Sequence, residues 1–134
     1  MTPIEKYGML IKLASQLVEE SKKGVPIIVE GRKDLTSLKR IGVKGRIRCV
    51  KSRRQNFINL IDELKSEREM IIMTDFDKEG EELARQLSIA LTESRVKVNN
   101  LIRERIKSLF RNEIKAVEEL ADFYEKAMCQ LASS

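Results

Sequence analysis

The sequence feature that most constrains the fold is a short apolar run that ends in a cluster of acidic residues. Met70–Met73 is entirely apolar, and Asp75, Asp77 and Glu79 follow it closely. A continuous apolar run of this length predicts a strand buried on both faces, as in a parallel sheet. Because ligands of open α/β sheets bind beyond the carboxyl ends of the strands, we expect these carboxylates at the functional edge.

The acidic residues after this strand allow two interpretations. Asp75 and Asp77 are two positions apart, so in an extended backbone their side chains point the same way. Such a pair repels unless a cation or a proton lies between them, and Mg²⁺ accepts one or two protein carboxylates. Alternatively, Asp75 or Asp77 caps the helix that follows, and Glu79 favours its first turn.

The rest of the chain predicts alternating strands and helices. Further strands are expected at 27–29, 46–51 and 95–98, and the one at 27–29 also ends in a carboxylate, that of Glu30. A charge at the tip of a buried strand needs a partner, whereas Asp34 suits the N-cap of the next helix. Apolar side chains with helical spacing predict helices over these further segments: 4–22, 35–41, 57–64, 81–91, and a tail from 101 in which Asn112 caps a second helix.

Together these elements predict an α/β fold with a mainly parallel four-stranded sheet and helices on both faces. The length of 134 residues predicts one domain over 1–134, with a core at about 25–100 and flanking helices at 4–22 and 101–131. The flanking helices either pack on the sheet or form a homodimer contact. Tyr7 and Tyr124 lie in apolar helical stripes and are expected in the core.

The composition excludes several chemistries. The chain has no histidine, so a Ser-His-Asp triad, a Cys-His pair and a histidine-ligated metal site are all excluded. Cys49 and Cys129 form no CxxC pair and are expected to be buried or half-buried thiols. No stretch resembles a signal peptide or a membrane span, so we expect a cytoplasmic protein without a membrane partner.

The positive charge is concentrated in one part of the chain. The net charge is +5, and the segment 32–54 carries ten basic residues against one acid. Such an excess of positive charge favours contacts with the phosphates of nucleic acid, although a solvated helix face and loop could have the same composition. The basic residues closest to the strand ends are Arg32, Lys33, Arg53, Arg54 and Lys78.

The two acidic strand ends resemble the motifs of the Toprim domain, which topoisomerases, bacterial primases and several nucleases share. Val29-Glu30-Gly31, with Asp34 three positions after the glycine, is similar to the first motif. Thr74–Glu81 is similar to the D-x-D motif in the version that continues as basic-Glu-Gly-Glu. The resemblance covers about residues 25–100 and implies a three-layer α/β/α fold.

The resemblance also implies roles for these residues. Glu30 would be the general acid/base or a metal-associated carboxylate, with Asp34 a further acid of the site. Asp75, Asp77 and Glu79 would bind Mg²⁺, or Mn²⁺ in its place. Arg32, Lys33 and Lys78 would hold the phosphates of DNA or RNA.

Three functions are considered for a strand that ends in a D-x-D motif. The leading hypothesis is Mg²⁺-dependent cleavage or phosphoryl transfer at phosphodiesters of nucleic acid. The alternative is a DNA- or RNA-binding module that keeps the acidic pocket without turnover. A phosphatase of the haloacid-dehalogenase type is disfavoured because its D-x-D motif lies on the first strand, whereas here it lies on the third.

Overall fold

The computed structural model describes residues 1–50 and 56–133. Helices and strands alternate through the middle of the chain, with helices at both ends. The helices are α1 (Pro3–Lys22), α2 (Arg32–Arg40), α3 (Phe57–Leu64), α4 (Lys78–Glu93), α5 (Leu101–Leu109) and α6 (Leu120–Ala132). The strands are β1 (Ile27–Val29), β2 (Ile47–Cys49), β3 (Glu69–Ile72) and β4 (Lys97–Asn99).

The four strands form one parallel sheet in the order β2-β1-β3-β4. Ile27 pairs with Ile47 on one side and with Ile71 on the other, which makes β1 and β3 the two central strands. Their carboxyl ends therefore lie side by side, and these are the ends that carry the acidic residues. The predicted parallel α/β sheet is confirmed.

The core lies in two layers, one on each face of the sheet. Successive residues of the central strands alternate between them: Ile27 and Val29 contact one layer, and Ile28 contacts the other. The larger layer contains side chains of α1, α2, α5 and α6, and the smaller one contains those of α3 and α4. This three-layer arrangement follows from strands that are apolar on both faces.

Two predicted helix starts are wrong. Gly31, not Asp34, is the N-cap of α2, and Asp34 occupies the third position of the helix, where it accepts from the cap N–H. Asn112 does not cap the last helix. A 3-10 helix at Val117–Glu119 precedes α6, which begins at Leu120.

Side-chain exposure corrects two further expectations. Cys49 is half-buried as predicted, but Cys129 is exposed. In α3, Leu60 and Leu64 are buried, whereas Ile58, which the helical spacing placed in the apolar stripe, is 76% exposed. Within residues 1–50 and 56–133, no helix has both the length and the apolar character needed to cross a membrane.

Candidate metal centre

The ends of β1 and β3 are joined by a hydrogen bond from main chain to side chain. The Asp75 N–H donates to Glu30 Oε2 over 2.7 Å between nitrogen and oxygen. Glu30 is only 5% exposed, so this bond offsets part of the cost of burying its carboxylate. Glu30 thus holds the backbone of the loop that carries Asp75, and the two residues lie together although they are far apart in sequence.

Asp75 lies at the centre of the acidic cluster. Its Oδ1 accepts the Val117 N–H at an N–O distance of 2.8 Å, and the residue is partly buried. Burial, together with the nearby carboxylates of Asp34, Glu30 and Asp77, raises the pKa of Asp75 to about 7. A carboxyl group with a raised pKa in a cluster of acids is a candidate functional group, because a bound proton or cation would stabilise it.

Asp77 is the N-cap of α4, and its Oδ1 accepts the Gly80 N–H over 2.7 Å. The capping alternative is therefore correct for Asp77. Glu79 lies in the first turn of α4, as the capping alternative predicted, and it is exposed. Capping occupies one oxygen of Asp77; its other oxygen accepts no hydrogen bond from the described residues.

Asp34 faces the same centre from α2. Its Oδ2 accepts the Gly31 N–H at 3.0 Å, and the residue is 6% exposed. Burial, together with the carboxylates of Glu30 and Glu118, raises the pKa of Asp34. The structure therefore brings Glu30, Asp34, Asp75 and Asp77 into electrostatic contact at one edge of the sheet.

Gly80 permits the tight loop between β3 and α4. A Cβ atom at this position would lie 1.9 Å from the main-chain oxygen of Asp75, well inside van der Waals contact. Thr74 closes the same loop by donating its hydroxyl to the Gly80 carbonyl over 2.7 Å. The glycine of the D-x-D segment is therefore required by the close approach of two backbone segments.

Arg103 of α5 also binds this loop, and it is not among the site residues that the sequence predicted. Its Nε donates to the Thr74 carbonyl at 3.0 Å and its Nη2 to the Asp75 carbonyl at 2.6 Å. The same Nη2 lies 2.9 Å from Glu81 Oε1, and the guanidinium lies over the Phe76 ring at 5.5 Å. Arg103 is 1% exposed, which no local sequence signal predicts in a segment of alternating charges.

The basic residues divide into paired and unpaired ones. Arg40 pairs with Asp122 and Glu125, whereas Arg46 and Arg48 pair with acids that follow α3 or lie within it. Part of the positive run is thereby neutralised. Exposed cations near the acidic centre that form no ion pair among the described residues are Arg32, Lys33 and Lys78. The predicted contacts Arg53 and Arg54 lie outside the described residues.

The donor chemistry fits a hard divalent cation. Within the described residues, no three acidic or cysteine side chains already converge as a ligand set. Mg²⁺, however, commonly takes only one or two protein carboxylates and completes its coordination with water and phosphate oxygens. Asp75 and Asp77 each use one oxygen for a main-chain N–H, which leaves a second oxygen on each for such a cation.

Residues 24–102 match the model of the Toprim domain. The match spans more than half of the chain and includes both acidic strand ends, so the chain belongs to the Toprim family. Toprim domains generally bind Mg²⁺, and the family indicates a function related to nucleic acid. The resemblance of the sequence to the Toprim domain is therefore confirmed.

The chain is also similar to two archaeal proteins named UPF0292 protein. The protein from Methanosarcina acetivorans is 36% identical over 94% of this chain and 90% of its own length. That from Archaeoglobus fulgidus is 37% identical over 92% and 95%. A solved structure of a protein from Aquifex aeolicus covers 81% of this chain and 94% of its own, with a TM-score of 0.68 and 21% identity, and it supports the fold.

Proposed function

We propose that this protein is a Mg²⁺-dependent enzyme that cleaves or transfers phosphodiesters of nucleic acid. The observation that carries the proposal is the convergence of Glu30, Asp75 and Asp77 at the carboxyl ends of the central strands. The raised pKa of Asp75 supports it, because a bound divalent cation would favour the ionised carboxylate.

Each residue has a distinct part in this proposal. Bound Mg²⁺ would neutralise charge on the nonbridging phosphate oxygens and lower the pKa of a water molecule. Asp75 and Asp77 would hold the cation through their second oxygens, and Glu79, in the first turn of α4, would be a further ligand once the metal is bound. Glu30 accepts or returns the proton, at a position fixed by the Asp75 N–H.

The exposed cations provide the contacts to the substrate. Arg32 and Lys33 lie in the first turn of α2, and Lys78 begins α4, so all three flank the acidic centre. Contacts of this kind neutralise phosphates and release counterions, which makes binding sensitive to salt. Asp34, buried behind them, adds to the negative charge that the cation offsets.

One observation favours the second candidate, a nucleic-acid-binding module without turnover. Glu30, Asp75 and Asp77 each already accept a main-chain N–H, so these hydrogen bonds stabilise the acidic cluster without any metal. The deciding assay incubates the wild-type protein with Mg²⁺ and single- and double-stranded DNA and RNA. Turnover supports the enzyme. Salt-sensitive binding without turnover, unchanged in Asp75→Asn and Asp77→Asn, supports the module.

Asp77→Asn separates the capping role from the metal-binding role. Asparagine caps helices as well as aspartate does, so the free energy of unfolding should change by less than about 0.5 kcal/mol. The lost charge should weaken Mg²⁺ binding by roughly tenfold or more, a size typical of damage to a metal site. Calorimetric titration with Mg²⁺ and thermal melting measure the two effects.

Asp77→Ala is the matched control because it removes both the cap and the carboxylate. It should lose about 1 kcal/mol of stability in addition to the loss of Mg²⁺ affinity. If Asp77→Asn binds Mg²⁺ as the wild type does, Asp77 is a helix cap and nothing more.

A further inference from the structure

We propose that the main-chain amide of Val117 is a positioning group for the acidic centre. It holds the Asp75 carboxylate in one rotamer, so that the second oxygen is presented to a divalent cation. The inference rests on the proposed function in naming the cation. Val117 lies beyond residues 24–102, so the segment that follows the family match becomes part of the site.

The loop after β3 is held from the C-terminal side by three sets of contacts. The Phe76 N–H donates to the Lys115 carbonyl at 2.9 Å, and Val117 N donates to Asp75 Oδ1 at 2.8 Å. Arg103 contributes the third set through its bonds to the carbonyls of Thr74 and Asp75. The 3-10 helix and α5 therefore bind both the backbone and the side chain of the loop.

Arg103 fixes the backbone of the loop. Burying a guanidinium removes it from water at a large cost in free energy, which only paired and hydrogen-bonded neighbours offset. Here those neighbours are two consecutive carbonyls of the loop and Glu81. If the loop rotated away, the buried guanidinium would keep its ion pairs with Glu81 and Glu104 but would lose both hydrogen bonds to the loop. These two bonds therefore restrain the backbone, and the rotation of the Asp75 side chain is a separate degree of freedom.

The Val117 amide removes that remaining freedom. Val117 is the first residue of the 3-10 helix, where N–H groups have no partner within the helix and are available to other acceptors. Its side chain is fully buried in the larger core layer, which holds the donor in place. A hydrogen bond from a main-chain N–H to a carboxylate also favours the ionised form, the one that binds a cation.

The variant Val117→Pro removes this donor with little other change to the backbone. Proline is favoured at the first position of a helix, and Ala116 is extended with φ −132° and ψ 148°, as a residue before proline should be. Val117→Ala is the matched control, because it also loses apolar packing but keeps the N–H. Both variants are compared with the wild type in the full chain.

Two measurements test the proposal. Three-bond NMR couplings report the χ1 angle of Asp75, and calorimetry reports the Kd for Mg²⁺ at pH 7.5. We expect Val117→Pro to average the Asp75 couplings over several rotamers and to raise the Kd about tenfold relative to Val117→Ala. Val117→Ala should keep a single rotamer and a Kd within about twofold of the wild type.

The outcomes separate this proposal from the proposed function. A single Asp75 rotamer in Val117→Pro, or equal Kd values in the two variants, overturns the positioning role. If the wild type binds no Mg²⁺, the metal-dependent function fails, and the couplings alone decide the positioning role. If Val117→Pro does not fold, the Val117 amide of the wild type decides: exchange with solvent at an unprotected rate overturns the proposal.

Discussion

Asp75→Asn is expected to raise the Tm in metal-free buffer at pH 8 and to reduce turnover on nucleic acid with Mg²⁺. Turnover should fall by on the order of 100-fold or more, because the variant loses a charge that the proposed chemistry needs. The stability gain arises because asparagine can still accept the Val117 N–H but carries no charge that burial disfavours or that the neighbouring carboxylates repel. After allowance for partial solvent screening we expect about 1–2 kcal/mol.

The pH dependence of this gain has a definite sign. Folding raises the pKa of Asp75 from 3.8 to about 7, so between these values the folded state binds more protons than the unfolded state. The stability of the wild type therefore falls as pH rises through this window, whereas the variant has no group to titrate at this position. The gain should be small at pH 4, increase up to about pH 7, and stay constant above it.

Thermal melting from pH 4 to pH 9, with and without Mg²⁺, checks this expectation. Mg²⁺ should stabilise the wild type by binding to the folded state and should stabilise Asp75→Asn much less. The control is Asp62→Asn on α3, an exposed carboxylate whose ion pair among residues 1–50 and 56–133 is with Lys65, where the change should stay within about 0.5 kcal/mol at every pH. A gain for Asp75→Asn that is equal at pH 4 and pH 8 would contradict the assigned cause.

Gly80→Ala, in the first turn of α4, should strongly destabilise the packing of this helix against the loop after β3. The added methyl group would meet the main-chain oxygen of Asp75 at 1.9 Å and its carbonyl carbon at 2.5 Å. Because both atoms belong to the backbone, their movement would disturb the hydrogen bond that Arg103 donates to Asp75 and the one that the Asp75 N–H donates to Glu30. Such overpacking should cost about 2–3 kcal/mol, against the usual preference of helices for alanine.

Gly8→Ala in α1 is the matched control. Nothing lies within 4 Å of a Cβ atom at Gly8, so the same substitution should gain about 0.5–1 kcal/mol by restricting the unfolded chain. Urea unfolding of the two variants measures the difference. Equal midpoints would mean that the loop after β3 can rearrange, and the fixed position of Asp75 would then have to be abandoned.

The parts of the fold that were predictable from the sequence are those with a local signal. The apolar run 70–73 predicted the strand that the structure has at Glu69–Ile72, because an apolar run without polar interruptions has to be buried on both faces. The juxtaposition of Glu30 and Asp75 followed from one general rule, that parallel strands of one sheet end at the same edge. Asp34, and not Gly31, was predicted as the N-cap of α2, because a glycine cap offers no side chain to recognise.

The parts that were missed depend on contacts between distant segments. Arg103 lies among charged residues of a helix, so its burial follows only from the packing of α5 against the loop after β3. The Val117 amide carries no sequence signature, because every residue except proline has a main-chain N–H. The pairing of Arg40 with two acids of α6 likewise depends on the packing of α2 against the C-terminal helix.

The unequal size of the two core layers has a consequence for motion. The groups that hold Asp75, among them Arg103 and Val117, project from elements that pack in the larger layer, whereas α3 contributes only to the smaller one. Segments with few buried apolar side chains open at lower free energy than the rest of a protein. Deuterium should therefore enter the amides of α3 well before those of α5, and transient opening on that side would leave the acidic residues in register.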